Sequence, residues 1–346
     1  MKSTPGTKPL RIVSIGGGNG LATLLRGLKR YVRSSQGDIE VTAIVTVTDD
    51  GGSSGRLRRD FAVLPPGDIR NCMVALSQDE TLLAKLFNYR FDSGRGLKGH
   101  SFGNLFLTAM THLTGDFAQA VKLSAEVLAV AGRIYPSTAS NVGLLATLSN
   151  GQTITGESRI GRSKLPIERI QLHPRRVKPL KETLAAIAEA DIITLGPGSL
   201  FTSVIPNLLV DGIPKAIAES AATKVCYVNL MTQPGETQGL SASEHVGAIL
   251  KHCGRHRRRM IDICVINRGQ LGTGVLQAYG AKAAQPVSVD VEAIEDLGIR
   301  VISADLVRMA GRRQENKIRH DSGAIAAITV ELAQAHRAQK RKKRSQ

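Results

Sequence analysis

A run of glycines follows the first apolar segment of the chain. The letters "GGGNG" at 16–20 come directly after "LRIVSI" at 10–15, and helix-forming residues follow them. Glycine lets the backbone approach a phosphate closely, and a helix start offers unpaired N–H groups and a positive dipole end. The full dinucleotide fingerprint G-x-G-x-x-G is not met, because Leu21 occupies its third glycine position. The segment predicts either a phosphate-binding turn or a tight turn without a ligand, and its candidate ligand-binding residues are Gly17, Gly18, Asn19 and Gly20.

A second polar segment, "TDDGGSSGRLRRDF" at 48–61, follows the next β-branched stretch. Its adjacent acids stand where a nucleotide-binding sheet places ribose-binding acids or metal ligands. Its glycines and serines can donate N–H and O–H groups to phosphate oxygens, and its arginines can neutralise charge with bidentate geometry. The alternative is a flexible loop with solvated charges, which this density of acids, hydroxyls and arginines disfavours. We take Asp50 as a candidate metal ligand with Mg²⁺ as the candidate cofactor, and the candidate ligand-binding residues are Asp49, Asp50, Gly52, Ser53, Ser54 and Arg56.

Two further segments each carry an amide side chain near the predicted start of a helix. In "LPPGDIRNC" at 64–72, Asp68 either caps a helix that starts near Ile69 or faces the site, and Asn71 is a candidate ligand-binding residue. In "GHSFGN" at 99–104, Asn104 falls in the first helical turn and is also a candidate. His100 is interpreted as a capping or packing residue, which is the more common role of a lone histidine.

Polar turns also follow two later strands. "LGPGS" at 195–199 supplies a second glycine turn, and "NLMTQPGET" at 229–237 follows the next strand along the chain. Ligands of open α/β sheets bind outside the carboxyl ends of the strands, so several such turns at one edge indicate a common crevice. The candidates here are Gly196, Gly198, Ser199, Asn229, Thr232 and Gln233, and Arg319 of "NKIRHDSG" at 316–323 could reach a phosphate.

These turns must be held by an alternation of strands and helices. Apolar periodicity predicts strands at 10–15, 41–47, 143–148, 152–158, 167–173, 191–195, 224–230, 260–267 and 299–306. It predicts helices at 21–31, 72–88, 101–113, 116–130, 180–190, 242–253, 291–298 and 322–339, with a long polar loop at 48–71. The fold class is therefore α/β, with a Rossmann-like, mostly parallel sheet, helices on both faces and a small inserted β subdomain at about 140–175. We expect a flexible arm at 1–9, a single domain at 10–339 and a disordered basic tail at 340–346.

Composition narrows the class of protein. The chain has 346 residues, 42% hydrophobic content and 3% aromatic residues, which suits a large core of Ala, Val, Ile and Leu. The formal net charge of +17 favours anionic partners, although most of this charge is interpreted as a solvated surface. The four cysteines are far apart, which disfavours metal clusters and disulfides. Neither a signal peptide nor a membrane span is recognisable, so we expect a cytoplasmic protein.

Taken together, these segments resemble the gluconeogenesis factor (YvcK) family, which shares a fold with 2-phospho-L-lactate transferase (CofD). The resemblance runs from about Arg11 to the closing helix and is carried by "DDGGSSGRLR", "PPGDIRN", "GHSFGN", "GPGSL", "NLMTQPGET" and "IRHD". It implies a Rossmann-like core, a cytoplasmic location, binding of uridine diphosphate sugars such as UDP-N-acetylglucosamine, and a role in cell shape, cell-wall synthesis and growth on gluconeogenic carbon.

The resemblance also implies particular residues and partners. It places sugar-nucleotide contacts at Tyr279 and Arg319, although Gln285 stands where the family has an arginine and Asn19 where it often has threonine. It implies a phosphorylation site at Ser322 and hence a Ser/Thr kinase as a partner. The role in cell-wall synthesis implies cell-wall synthesis proteins as further partners. We also expect a homo-oligomer.

Two other functions were considered. A transferase acting on a phospho-metabolite would use Asp49 and Asp50 to hold Mg²⁺ on a diphosphate. Nucleic-acid binding would use the basic tail and the "RHRRRM" segment at 255–260, but the scarcity of aromatic residues argues against it. The expectation is a regulatory nucleotide-sugar-binding protein rather than an enzyme.

Overall fold

A seven-stranded parallel sheet forms the centre of the molecule. In this computed structural model the described residues are 8–34, 38–77, 82–271, 276, 280, 283–308 and 318–344. The strand order is β10-β9-β8-β7-β1-β2-β3, and each neighbouring pair is parallel. The strands are β1 Leu10–Gly16, β2 Ile39–Val45, β3 Arg133–Pro136, β7 Ile192–Leu195, β8 Thr223–Tyr227, β9 Ile263–Asn267 and β10 Arg300–Ala304. This topology confirms the predicted α/β class.

The sheet reverses its direction of growth between β1 and β7. From β1 the chain adds β2 and β3 on one side, whereas from β7 it adds β8, β9 and β10 on the other. The two central strands are buried on both faces, as Ile12, Val13 and Ile193 illustrate with exposures of 2% or less. The loops after β1 and β7 therefore diverge to opposite faces and leave a crevice at the carboxyl ends of these strands.

Helices pack around the sheet. Leu21, Leu24, Leu25 and Leu28 recur at helical spacing and are fully buried, which is why the first helix forms and where it packs. The α-helices are α1 Gly18–Ser34, α2 Gly52–Phe61, α3 Gly67–Leu76, α4 Leu82–Asn88, α5 Phe102–Thr114, α6 Phe117–Val127, α7 Glu157–Ile160, α8 Lys181–Glu189, α9 Ile205–Leu208, α10 Ile213–Glu219, α11 Ala242–His252, α12 Val291–Glu295 and α13 Ser322–Arg344. A π-helical turn, Leu200–Val204, precedes α9, and a 3-10 helix, Gly254–Arg259, follows α11.

A small antiparallel sheet is inserted between β3 and α8. It consists of β4 Gly143–Leu148, β5 Thr153–Thr155 and β6 Ile167–His173 in the order β5-β4-β6. The Asn150–Gly151 turn joins β4 to β5, as its sequence predicts. A two-stranded ribbon of β11 Val307–Arg308 and β12 Arg319–His320 precedes the closing helix.

The structure corrects three predictions. Residues 48–71 are not a long loop, because they contain α2 and the start of α3; α2 buries Ser53, Ser54, Gly55 and Leu57, so its inward face is polar and small and has no apolar periodicity. The strand β3 was not predicted. The closing helix continues through the basic residues to Arg344, so 340–344 are helical rather than disordered. The predicted arm falls largely on residues 1–7, which lie outside the described part of the chain.

Two structural findings bear on the protein class. The four cysteines are free and buried. No single helix in the described ranges is long and apolar enough to cross a membrane, although the bent pair Leu200–Leu208 and Ile213–Glu219 meets the criteria of length and composition.

Candidate functional site

A cleft of about 610 Å³ lies at the carboxyl ends of the central strands. The turn after β1, the turn after β7, the segment after β8 and the end of β12 form its walls. The sequence-predicted residues that line it are Gly17, Gly18, Asn19, Gly20, Gly198, Ser199, Asn229, Thr232, Gln233 and Arg319. The structure therefore brings ten of the candidates into one cavity.

The two glycine turns pack directly against each other. Gly16 ends β1 and Gly196 directly follows β7, and a Cβ built on Gly16 would lie 3.9 Å from the Cα of Gly196. A Cβ built on Gly20 would lie 2.5 Å from the Cα of Gly198 and closer still to the carbonyl oxygen of Pro197. Gly20 must therefore be glycine for the turns to approach this closely. Gly18 starts α1 with φ of +59°, a conformation that favours glycine.

The side chain of Asn207 connects the turn after β1 to the segment after β7 by hydrogen bonds. This fully buried side chain donates from Nδ2 to the carbonyl oxygens of Gly16, at 3.0 Å, and Ser203, at 2.7 Å. The first carbonyl belongs to the turn after β1, and the second to the segment after β7. Asn207 does not line the cleft, and it supports the cleft floor through these two bonds.

Loss of the Asn207 amide should destabilise the fold. Asn207→Ala removes two buried hydrogen bonds that link the turn after β1 to the segment after β7, so we expect the free energy of unfolding in urea to fall by about 2–3 kcal/mol. Asn150→Ala is the matched control, because the exposed Asn150 only accepts a bond from Gln152 N in the β4–β5 turn. We expect the control to cost less than about 1 kcal/mol. Equal losses in the two variants would contradict the supporting role.

The segment after β8 bonds to the second glycine turn. Asn229 Oδ1 accepts from Gly198 N at 3.4 Å, and Gln233 Nε2 donates to Ser199 Oγ at 2.9 Å. Thr232 Oγ1 accepts from Gln285 N at 3.0 Å. These polar groups form one wall of the cleft. They can replace their present hydrogen bonds with hydrogen bonds to a ligand.

Two carboxyl groups face the same cleft. Asp68 accepts a hydrogen bond from Gly18 N–H, and burial and the nearby Asp49 raise the pKa of Asp68 to about 7. Burial and the neighbouring carboxylates, Asp68 first, raise the pKa of Glu157 to about 10. Glu157 is therefore protonated at neutral pH, and Asp68 is close to half-protonated. Asp68 does not cap α3 through its side chain, since that helix begins at Gly67 without a side-chain cap.

Nine predicted residues do not line the cleft. Asp49 Oδ1 accepts from Gly51 N and Asp50 Oδ1 from Ser158 N, each at 2.8 Å. Gly52 begins α2. The others form internal bonds: Ser53 Oγ with His100 Nδ1, Asn104 Nδ2 with Ser54 Oγ, Arg56 with the carbonyl of Lys98, Asn71 Oδ1 with Arg70, and Gly196 N with the carbonyl of Ile15.

The remaining predicted residues lie around the closing helix. Arg319 is exposed at the cleft mouth. Ser322 opens α13 with 5% exposure, so a kinase would reach it only if the start of that helix opened. Tyr279 lies outside the described residues.

The cleft also contains residues that sequence analysis did not select. Thr23, Glu157, Ser203 and His320 line it. Burial lowers the pKa of His320 to about 4, so its neutral ring donates from Nε2 to the Val228 carbonyl at 3.1 Å. His320 could have been selected from the sequence, because it stands beside Arg319 in "IRHD". Glu157 could not have been selected, because the inserted sheet brings it to the cleft from a distant part of the sequence.

Asp50 is the residue predicted to bind a metal ion. In the part of the chain that the structure describes, no three His, Cys, Asp or Glu side chains are grouped to hold a metal ion. Asp50 lies outside the cleft wall and is bonded to Ser158 N. A Mg²⁺ site at Asp50 stays a prediction, since Mg²⁺ is commonly held by one or two carboxylates together with substrate phosphates.

Known proteins resemble this chain over most of its length. A family model described as "2-phospho-L-lactate transferase CofD" matches residues 12–307. The chain is 43% identical over 327 residues to the "Gluconeogenesis factor" of Bacillus subtilis, covering 94% of this chain and 99% of that protein. It is 44% identical over 324 residues to the "Gluconeogenesis factor" of Halalkalibacterium halodurans, covering 94% and 97%. A crystal structure from Bacillus halodurans, described as a member of the upf0052 family, has a TM-score of 0.87 and 44% identity and covers 94% of this chain and 100% of its own.

Proposed function

Because the chain belongs to the CofD family and, within it, to the gluconeogenesis factors, we propose that it binds a uridine diphosphate sugar, such as UDP-N-acetylglucosamine, in the cleft between β1 and β7. The observation that carries the proposal is the close packing of the turn at Gly20 against the turn at Gly198. Both turns lie at the point where the sheet reverses its direction of growth, and both present backbone to the same cavity.

The diphosphate is assigned to the start of α1. The first N–H groups of that helix lack partners within the helix, and its dipole favours negative charge there. Arg319 lies at the cleft mouth and can pair with a phosphate oxygen. Asp68 now accepts from Gly18 N–H, so a diphosphate would take its place or bind while Asp68 is protonated.

The uridine or sugar group is assigned to the wall after β8. Asn229, Thr232 and Gln233 offer amide and hydroxyl groups there, and the Oε1 atom of Gln233 is buried without a partner among the described residues. A ligand N–H or O–H group that donates to this oxygen would stabilise the complex more than a hydrogen bond to a solvated oxygen would. The reason is that a buried acceptor without a partner is unfavourable in the free protein.

The proposed physiological role is regulatory. In the cytoplasm, the protein would sense a UDP-sugar and pass that information to cell-wall synthesis proteins, which would affect cell shape and growth on gluconeogenic carbon. A Ser/Thr kinase acting at Ser322 would add negative charge close to Arg319 in the sequence and so oppose diphosphate binding.

Calorimetry with UDP-N-acetylglucosamine tests the binding. We expect one site per chain, and a ligand concentration about a hundredfold above Kd should stabilise the fold by roughly 2.7 kcal/mol. Absence of heat and of a thermal shift at millimolar ligand would contradict the proposal.

Arg319→Gln tests the assigned contact. Loss of one charge-assisted hydrogen bond should lower affinity by about tenfold with little change in stability, since Arg319 is exposed. Arg300→Gln removes an equally exposed arginine from the edge strand β10 and should leave affinity unchanged. If both variants weaken binding equally, the effect reflects net charge rather than contact.

A transferase of the kind named by the family model is the second candidate function. The observation that favours it is the pair of carboxyl groups, Asp68 and Glu157, beside the proposed diphosphate position. Mg²⁺ is commonly held by one or two carboxylates together with substrate phosphates, so a bound diphosphate could complete a site. A Mg²⁺-dependent product from a nucleotide and a phospho-metabolite would favour this function over regulation alone.

A further inference from the structure

A second cavity lies on the other side of the inserted sheet. Its volume is about 370 Å³, and it lies between β6 and the carboxyl end of α11. It shares no lining residue with the cleft at the central strands. Its floor is apolar, formed by Ile170, Leu172 and the half-buried Leu209, and its rim carries Arg169, Arg175 and Lys251.

Two of the three rim cations are hydrogen-bonded, both to neutral groups. Lys251 Nζ donates to the carbonyl of Glu168 at 3.0 Å, and Arg175 donates to Gln171 Oε1 at 2.8 Å. Among the ion pairs of the described residues, none involves Arg169, Arg175 or Lys251. The described part of the rim therefore has no carboxylate ion-paired with these cations, which come from β6, the turn after it and α11.

His252 fixes the geometry of this cavity without adding charge. Its Nε2 accepts from Ile170 N at 2.9 Å, so its Nδ1 must carry the proton that bonds to the Ala248 carbonyl at 2.7 Å. Burial, followed by the nearby Lys251 and Arg169, lowers the pKa of His252 despite the carbonyl bond. The ring therefore stays neutral at physiological pH and ties the inserted sheet, which carries Arg169, to α11, which carries Lys251.

We infer that this cavity is a second binding site, for a small molecule that carries two or more phosphate groups. Its volume falls in the range of about 300–1,000 Å³ that is usual for small-molecule sites. Two guanidinium groups, one in β6 and one just after it, and an ammonium group on α11 can each take a phosphate oxygen, whereas a single phosphate would leave part of the rim unpaired.

The neighbouring 3-10 helix supports an anionic ligand. It starts at the cavity-lining Gly254 and presents Arg255, Arg257, Arg258 and Arg259 to solvent. Such a run raises the local positive potential and speeds the approach of anions. A nucleic acid is disfavoured, because the lining residues offer no Phe, Tyr or Trp side chain for base stacking.

The test uses the full chain and inorganic tripolyphosphate in calorimetry at about 150 mM KCl. The cavity variant is Arg169→Gln, Arg175→Gln, Lys251→Gln. The control variant is Arg30→Gln, Lys122→Gln, Arg300→Gln, which removes two arginines and one lysine from exposed positions that do not line the cavity. We expect the native chain and the control variant to bind one more tripolyphosphate than the cavity variant, or to bind it at least about tenfold more tightly. Circular dichroism and the unfolding midpoint establish that both variants are folded.

Three results would overturn the inference. One is equal tripolyphosphate binding by the native chain and the cavity variant. Another is an equal loss in the control variant, which would indicate diffuse charge. The third has two parts: single-stranded DNA displaces tripolyphosphate, and the affinity for this DNA falls equally in the cavity variant and the control variant. Together they would indicate a nucleic-acid surface. Because the cavity and the cleft share no residues, a failure to bind UDP-sugar would leave the comparison between variants intact.

Discussion

Gly20→Ala is expected to lower affinity for UDP-N-acetylglucosamine by at least about a hundredfold, which corresponds to about 2.7 kcal/mol. The added Cβ would lie 2.5 Å from the Cα of Gly198 and nearer still to the carbonyl oxygen of Pro197. Both atoms belong to backbone, so the clash cannot be relieved by rotating a side chain. The two turns must move apart, and the N–H groups at the start of α1 then no longer face a common diphosphate position.

The same substitution should also reduce stability, by about 1–3 kcal/mol, because it overpacks a closely fitted contact. Gly247→Ala is the matched control: Gly247 lies within α11, and nothing lies within 4 Å of the position of its Cβ. Alanine stabilises a helix interior more than glycine does. The control should therefore keep full affinity, and its free energy of unfolding should rise by up to about 1 kcal/mol. Native affinity in Gly20→Ala, measured by calorimetry, would contradict the tight packing of the turns.

Asp68→Asn is expected to raise stability at high pH and leave it unchanged at low pH. The pKa of Asp68 is raised to about 7, above its ordinary value of 3.8. Between these two values the folded state holds a proton that the unfolded state has released, so the native protein loses stability as pH rises through this window. Asparagine is neutral throughout and can still accept the bond from Gly18 N–H.

The expected gain is about 2 kcal/mol at about pH 8, less than the full pKa shift would give, because Asp68 is partly exposed to solvent. Affinity for the UDP-sugar should rise by about tenfold at the same pH, since a negative charge beside the diphosphate is removed. Urea unfolding at about pH 3.5 and about pH 8 measures the change in stability, and calorimetry at about pH 5 and about pH 8 measures the change in affinity.

Glu157→Gln is the control for the effect on affinity. The pKa of Glu157 is raised to about 10, so in the folded protein at about pH 8 the substitution exchanges one neutral group for another. We expect its affinity for the UDP-sugar to stay within about twofold of the native value. Its stability should rise relative to the native protein at high pH, as in Asp68→Asn, because the unfolded chain releases the Glu157 proton near the ordinary pKa of 4.5. A pH-independent effect of Asp68→Asn on stability, or an equal gain in affinity in Glu157→Gln, would contradict the assignment of the titrating carboxyl to Asp68.

The cleft could be predicted from the sequence because parallel strands have their carboxyl ends at one edge. Once "LRIVSI" and "DIITL" are recognised as strands, the glycine turns that follow them must lie on the same rim. Whether the two turns touch depends on strand order, however. The pairing of β1 with β7 is a long-range contact that local periodicity does not specify.

The parts that were missed have identifiable physical causes. Helix α2 buries a face of serine and glycine, so its inward side has no apolar pattern. Glu157 reaches the cleft because the inserted antiparallel sheet folds back toward the central sheet, and its own neighbours in sequence carry no sign of a site. The helical state of residues 340–344 follows from the continuation of α13, whereas isolated basic residues suggest a solvated tail.

A crystal structure of the complex with UDP-N-acetylglucosamine is the most direct measurement of where the diphosphate binds. We expect its oxygens within about 2.7–3.2 Å of backbone nitrogens at the start of α1 and in the turn at Gly198, with Arg319 on the outer side. A diphosphate held instead by the polar residues of Gly51–Gly55, or in the basic cavity beside β6, would contradict the convergence of the two glycine turns on one ligand.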